Sequence, residues 1–180
     1  MDASLTRKAF LQRGIVAIGA ACVAPRLFAQ AATSPGPVGS VPPGAPAIPD
    51  RGPQIATERV KEFVIAGHGN LDKAKEMLAA EPALINGTWD WGKGDFETAL
   101  GGASHMGRRD IAEFLLQHNA RMDVFAAAML GKIDIVKAAV TAFPDIVRVP
   151  GPHKIPLIAH AEKGGVDAIA VLEFLRPLVG

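Results

Sequence analysis

Gly69-Asn70-Leu71-Asp72 is the first of four Gly-x-x-Asp phrases in this chain, followed by Gly107-Arg108-Arg109-Asp110, Gly131-Lys132-Ile133-Asp134 and Gly164-Gly165-Val166-Asp167. Successive phrase glycines lie 38, 24 and 33 residues apart, and each phrase separates two apolar helical segments. A helix–turn–helix unit that recurs about every 33 residues is typical of a stacked repeat array. The sequence therefore predicts an all-α domain of about four helix pairs, a class that buries one continuous core and usually works by binding.

Apolar periodicity supports the same helices. Ile111, Phe114, Leu115 and His118 follow an i, i+3, i+4, i+7 pattern, and so does the series Ile133, Val136, Val140, Phe143. The Asp of each phrase falls in the first turn of the following helix, where it meets the positive end of the helix dipole. Pro82 and Pro144 each lie ten positions after such an Asp and predict the ends of two helices.

The second unit resembles an ankyrin repeat. Its Thr98-Ala99-Leu100-Gly101-Gly102-Ala103 stands where that family has a T-P-L-H-x-A start, and Asn119-Ala120 stands at the family's Gly-Ala exit. The fourth unit keeps the proline, in Ile155-Pro156-Leu157. The third unit lacks the usual hairpin before it, and the first has no T-P-L-H equivalent. The resemblance covers residues 56–176 and implies an ankyrin-like array with a hairpin finger between units one and two.

The N-terminus predicts export. Thr6-Arg7-Lys8-Ala9-Phe10-Leu11 resembles a twin-arginine motif, an apolar run follows, and Ala29-Gln30-Ala31 offers a small-x-small cleavage site. Use of the general export route, a membrane anchor, and a lipoprotein signal at Cys22 remain alternatives. The expected organisation is a signal peptide at 1–31, a Pro/Gly/Ala-rich flexible linker at 32–54 and a repeat domain at 55–180, in a periplasmic or secreted protein.

Cleavage would leave a mature chain without cysteine and without a stable membrane span. It removes four basic residues and one acidic residue, which moves the formal net charge from +1 to −2. A near-neutral chain does not indicate binding to nucleic acid.

The segment 86–97 carries the first candidate partner-binding residues: Trp89, Trp91, Asp95 and Glu97. This stretch corresponds to a hairpin finger, and two indoles on a loop offer stiff contact area with a polar tip. The alternative is that at least one tryptophan packs against the top of the stack.

The inner-helix ends carry the second set of candidates. Residues that precede the turn glycine in ankyrin folds point into the concave groove, and here they include His105, Met106, Met129 and Leu130. Met106, Met129 and Leu130 would form an adaptable apolar strip for a protein partner. The alternative is that the missing third hairpin lets neighbouring units close over this strip.

No catalytic residue, cofactor or metal site is expected from the sequence. His160 aligns with Ala103 and Ala127, so we expect it to be buried and hydrogen-bonded, and no second ligand lies three or four positions from it. The Gly101-Gly102 pair indicates either a close approach by the finger or a neighbouring helix, or a dent for a ligand. No nucleophile elbow or phosphate loop occurs.

The function predicted from the sequence is that of an exported protein-binding scaffold or adaptor, not an enzyme. The first alternative is an inhibitor or immunity protein for an exported toxin. A second is a hydrolytic enzyme built from Asp95, Glu97, His105 and His160. The chain's end at Leu175-Arg176-Pro177-Leu178-Val179-Gly180 lacks an evident polar cap, which suggests self-association there.

Overall fold

The computed structural model describes residues 51–179. The predicted signal peptide, Cys22 and most of the predicted linker lie outside these residues. The described part is mostly helical, as predicted for an all-α fold. Its α-helices are α1 (Thr57–Gly67), α2 (Leu71–Ala80), α3 (Ala99–His105), α4 (Arg109–Gln117), α5 (Val124–Met129), α6 (Ile133–Ala142), α7 (Leu157–Lys163) and α8 (Ile169–Leu175).

Consecutive helices form pairs, and one helix of each pair makes a continuous inner row. Helix α1 packs on α3, α3 on α5 and α5 on α7, while α2, α4, α6 and α8 pack against their own partners. Side chains between the rows form two apolar clusters, one centred on Phe63, Leu100 and Leu115 and the other on Leu157 and Leu175. None of the helices in residues 51–179 has both the length and the apolar character that a membrane crossing needs.

Local sequence explains where the helices begin and end. The side chains of Asn70, Thr98 and Asp123 accept hydrogen bonds from main-chain N–H groups in the first turns of α2, α3 and α5. Helices α2 and α6 end just before Pro82 and Pro144, as predicted. Each proline instead begins a 3-10 turn, which ends at Asn86 in the first case and at Arg148 in the second.

Most of the predicted turn features are confirmed, with one exception. Asp72, Asp110 and Asp134 lie in the first turns of α2, α4 and α6. Asn119 has a φ of 67°, the left-handed conformation expected of a residue that replaces glycine at a helix exit. Asp167 differs, because it lies in a 3-10 turn that precedes α8.

The predicted apolar stripes are buried or half-buried over most of their length and exposed at their last residues, His118 and Phe143. Ile111, Leu115 and Val136 are fully buried. Phe143, the last residue of its series, is 70% exposed, because the chain leaves the helix there and turns at Pro144.

A two-stranded antiparallel hairpin follows the first helix pair. Strand β1 (Thr88–Asp90) pairs with β2 (Phe96–Thr98), with Trp89 opposite Glu97. The hairpin confirms the position of the predicted finger. Only residues 118–123 connect α4 to α5, whereas residues 143–156 connect α6 to α7. The third helix pair therefore follows the second without an intervening finger.

Candidate metal centre

Four side chains from separate segments converge beside the finger. His68 lies at the end of α1, Glu97 in β2, His105 at the end of α3 and His153 in the connection before α7. Each offers one ligand atom, and these four atoms all lie within 4.8 Å of one another. Imidazole nitrogen and carboxylate oxygen are the usual ligands of Zn²⁺ and related transition metals.

Four separations between atoms of the cluster are close to those within a first coordination shell. Glu97 Oε2 lies 3.2 Å from His68 Nε2 and 3.3 Å from His153 Nε2. His105 Nε2 lies 2.9 Å from Glu97 Oε1 and 3.2 Å from His68 Nε2. Ligand atoms placed about 2.0–2.1 Å from a tetrahedral Zn²⁺ are about 3.3 Å apart. The cluster therefore has close to the size that one metal ion requires.

Acceptors behind two of the histidines determine which ring nitrogen faces the cluster. His68 Nδ1 donates to the Val64 carbonyl at 2.9 Å. His153 Nδ1 donates to Asp95 Oδ2 at 3.0 Å, and the His153 main-chain N–H donates to Asp95 Oδ1 at 2.8 Å. A neutral imidazole that donates through Nδ1 presents a lone pair at Nε2. Outer-shell acceptors of this kind orient and strengthen histidine ligands in metal sites.

Glu97 is the buried centre of the cluster. It is 1% exposed, and Trp91 Nε1 donates to its Oε2 at 2.7 Å. Burial raises the pKa of the Glu97 carboxyl, but hydrogen bonds from His105, His68 and Trp91 outweigh it, so the pKa lies far below its usual range. The hydrogen bond between His68 and Glu97 also raises the pKa of His68. This effect outweighs that of burial, which lowers the pKa of His68. A buried carboxylate is thus held ionised and requires positive charge beside it.

The Gly101-Gly102 pair makes room for these side chains. A Cβ on Gly102 would lie 2.7 Å from His68 Nδ1 and 2.8 Å from its Cε1. A Cβ on Gly101 would lie 3.2 Å from Glu97 Cγ. The two glycines in α3 therefore serve the close approach of a neighbouring helix and of the finger, as the first of the two sequence interpretations proposed.

His153 reaches the cluster through the connection before α7, which contacts the finger directly. Asp95 and His153, 58 residues apart in sequence, meet in this way. His153 has a φ of 56°, and its hydrogen bonds to Asp95 help to hold that left-handed backbone in place.

The structure places the predicted site residues in four different settings, of which the buried pair Met129 and Leu130 is the last. Trp91, Asp95, Glu97 and His105 are brought together at the cluster. Trp89 is half-buried, and the Lys61 ammonium nitrogen lies over the Trp89 ring, 5.0 Å from the ring centroid. Met106 is 51% exposed. The prediction that Glu97 is available to a partner is wrong, because its carboxylate is used internally.

Met129 and Leu130 do not line a groove, so the prediction of an apolar binding strip is wrong for both. They are 0% and 4% exposed. The backbone of Gly164 approaches Met129 so closely that a Cβ there would overlap the Met129 carbonyl oxygen. The alternative that neighbouring units close over the strip is confirmed for these two residues.

His160 is buried, as expected, and does not belong to the cluster. Its Nδ1 donates to the Pro156 carbonyl at 3.0 Å, and its ring packs 4.9 Å from the Phe125 ring, between centroids. Its Nε2 has no hydrogen-bond partner among the described residues. Burial lowers the pKa of His160.

Ligand spacings of three or four positions, which mark metal sites within one helix, do not reveal His68 and His153 as ligands, because the cluster is assembled from separate segments. A usable signal was present. His68 and His105 lie at the ends of inner helices in adjacent pairs, His68 one position and His105 two positions before the glycine of a Gly-x-x-Asp phrase. Repeat stacking places such positions side by side.

Comparison of the chain with family models, with curated proteins and with solved structures finds no match.

Proposed function

We propose that this protein binds one divalent transition metal ion, with Zn²⁺ as the first candidate, through His68, Glu97, His105 and His153. Three imidazoles and one carboxylate form a borderline-soft donor set, which suits Zn²⁺ better than Ca²⁺ or Mg²⁺. The ligands come from four segments, so an ion would join the finger to the ends of α1 and α3 and to the connection before α7.

One observation carries this proposal: the Nε2 atoms of His68 and His153 lie 3.2 and 3.3 Å from Oε2 of the ionised Glu97 carboxylate. Both rings donate through Nδ1, so each Nε2 that faces Glu97 carries a proton when the ring is an imidazolium ion and a lone pair when the ring is neutral. Neutral rings in this arrangement direct lone pairs at a negative charge, which is favourable only with a cation among them. A metal ion supplies it, and the competing arrangement is a proton network in which these histidines are imidazolium ions.

Metal binding distinguishes the two arrangements. Protein stripped with a chelator is titrated with Zn²⁺ and with Co²⁺, whose visible spectrum reports coordination. We expect one ion per chain, and we expect Glu97→Gln and His105→Gln to weaken binding by about 10- to 100-fold or more. His118→Gln, a change at an exposed histidine of the same chain, is the matched control and should leave the affinity unchanged.

Absence of stoichiometric binding to the wild-type protein would reject the metal proposal and favour the proton network. Equal affinity of the Glu97→Gln and His118→Gln proteins would reject the assigned ligands. Circular dichroism of each variant verifies that its fold is intact.

A second candidate function is protein binding through the finger, and the exposure of its apolar side chains supports it. Phe96 is 60% exposed and Trp91 is 37% exposed, and both flank the tip of the hairpin. Exposed aromatic side chains of this kind are common anchors of protein interfaces. The partner would be a protein, and an exported toxin or enzyme is one class that such an adaptor or inhibitor would hold.

Affinity capture from a periplasmic fraction tests this second function. We expect Phe96→Ala to reduce capture of any bound protein while metal affinity stays unchanged, because Phe96 contributes no ligand. Met122→Ala, a change at an exposed apolar residue outside the finger, is the matched control. Capture that is equal for all three proteins would move the interface away from the finger.

We also propose that the helix pairs form an ankyrin-like array and that the chain is exported. The ordered inner row of α1, α3, α5 and α7 and the finger position support the first statement. The N-terminal motif supports the second, and it predicts a mature N-terminus at Ala32. N-terminal sequencing of protein from its native host tests export, and an intact Met1 on cytoplasmic protein would reject it.

A further inference from the structure

A cleft adjoins the candidate metal centre at Asp95. It has a volume of about 410 Å³ and lies between residues 92–95 at the finger tip and Pro150, Gly151 and Lys154 of the connection before α7. Asp95 belongs to both places, because it lines the cleft and holds His153 by two hydrogen bonds. A ligand in the cleft would therefore lie next to the cluster.

The charged groups that line the cleft favour an anion. Lys93 and Lys154 line it from opposite segments, and neither ammonium group makes a hydrogen bond or an ion pair with any residue in 51–179. Asp95 is the one acid in the lining, and both of its oxygens are occupied by His153. The two lysines that line the cleft, both exposed, thus have no acidic partner in the described part of the chain.

The backbone holds both lysines in conformations that such residues seldom adopt. Lys93 has a φ of 59° and Lys154 a φ of 60°. Left-handed backbone at a residue other than glycine, asparagine or aspartate persists where surrounding contacts enforce it, and it is concentrated at functional sites.

Specific hydrogen bonds enforce these conformations. Asp90 Oδ1 accepts from the N–H groups of Gly92 and Gly94, on either side of Lys93, at 2.8 and 3.1 Å. The Gly151 N–H donates to the Ile155 carbonyl at 2.9 Å, which closes the turn that contains Lys154. The two turns therefore fix the backbone on both sides of the cleft.

We propose that this cleft binds a small oxyanion, a carboxylate or phosphate group, beside the metal ion. This inference rests on the proposed metal binding, because the ion would add positive charge at the inner end of the cleft. Ammonium groups and a divalent ion together attract and orient such groups in many sites. The ligand class is thus a small anionic molecule.

Anion titration of the Co²⁺-loaded protein tests the proposal. Inorganic phosphate and acetate are the two probes, followed by calorimetry and by the visible spectrum of Co²⁺. We expect at least one probe to bind, and we expect the double variant Lys93→Gln/Lys154→Gln to weaken that binding by about tenfold or more, because it removes both positively charged donors from the lining. Binding of phosphate alone would identify a phosphate group as the ligand, and binding of acetate alone would identify a carboxylate.

The control is Lys132→Gln/Lys137→Gln, which removes two exposed lysines of α6 and its N-cap and should leave anion affinity unchanged. Co²⁺ affinity should be the same in all three proteins, because no lysine is a ligand. Failure of both anions to bind the loaded protein, or equal binding by both double variants, would overturn the cleft proposal while metal binding stands.

Failure of the wild-type protein to bind Co²⁺ would instead overturn the proposed metal function. The same titrations on that metal-free protein then decide the cleft separately. Anion binding that depends on Lys93 and Lys154 would support it, and no binding would overturn it.

Discussion

Gly102 shows how strongly one residue controls the position of a ligand. Alanine favours helix over glycine by about 1 kcal/mol, so Gly102→Ala in α3 would ordinarily stabilise the protein. Here the added Cβ would lie 2.7 Å from the His68 ring, which must move. We expect Co²⁺ affinity to fall by about tenfold or more, since displacement of a ligand costs at least as much as loss of its outer-shell support.

Gly69→Ala is the matched control for this change. A Cβ there would meet only Arg108, at an ordinary 3.5 Å, and Gly69 does not have a left-handed backbone. Its Co²⁺ affinity should equal that of the wild type. Undiminished affinity in Gly102→Ala would show that His68 is not a ligand in the observed position.

The burial of His160 predicts that the free energy of unfolding decreases as the pH falls. Burial lowers its pKa below the ordinary 6.5, the Pro156 carbonyl opposes this shift, and the charges of His105, Asp123 and Glu97 act on it more weakly. The unfolded chain therefore binds a proton at His160 at a higher pH than the folded chain does. Stability is lost as pH falls through the ordinary pKa, and this loss stops below the folded pKa.

His160→Leu removes this term. In urea melts of metal-free protein between about pH 7.5 and about pH 5, we expect the free energy of unfolding to depend less on pH in the variant than in the wild type. His118→Leu removes an exposed histidine instead and should leave the wild-type dependence unchanged. An identical pH dependence in all three proteins would contradict the buried, neutral state of His160.

At the scale of the elements, the helices were predictable because their signals are local. Periodic apolar residues, first-turn acids and the two prolines act within one helix, and α2, α4 and α6 begin and end close to where these signals indicate. The finger was predictable from its position between two helix pairs. The metal centre was not, because its four ligands come from four segments whose meeting depends on how the units stack.

The face of α4 that packs against the core is tested at Leu115, which is fully buried. Leu115→Ala should reduce the free energy of unfolding by about 2–5 kcal/mol, because it deletes packed methyl groups and leaves a cavity. Ile135→Ala on α6, where the side chain is 44% exposed, should cost under about 0.5 kcal/mol. Denaturant melts measure the free energy of unfolding of both variants. A loss in Leu115→Ala as small as that in Ile135→Ala would contradict the assignment of Leu115 to the core.

At the scale of the whole domain, the packing of the helix pairs links the fold to the site. Met129 and Leu130 are buried, although the sequence alone would have allowed them on a surface, and the connection before α7 contacts the finger. The packing thus leaves no apolar groove at these two residues and forms a polar cluster from the end of α1, the finger, the end of α3 and the connection before α7.

Because that cluster joins distant units, a metal ion should stabilise the entire domain. A ligand that binds only the folded chain adds about 2.7 kcal/mol to the free energy of unfolding at 100 times its Kd. We expect Zn²⁺ at that level to raise the melting temperature of the chelator-stripped protein, and we expect excess chelator to reverse the change. Glu97→Gln lacks the central carboxylate and should show a much smaller rise. An equal rise in the variant would mean that Zn²⁺ acts elsewhere on the chain, and no rise in the wild type would mean that the four ligands do not hold an ion in the folded state.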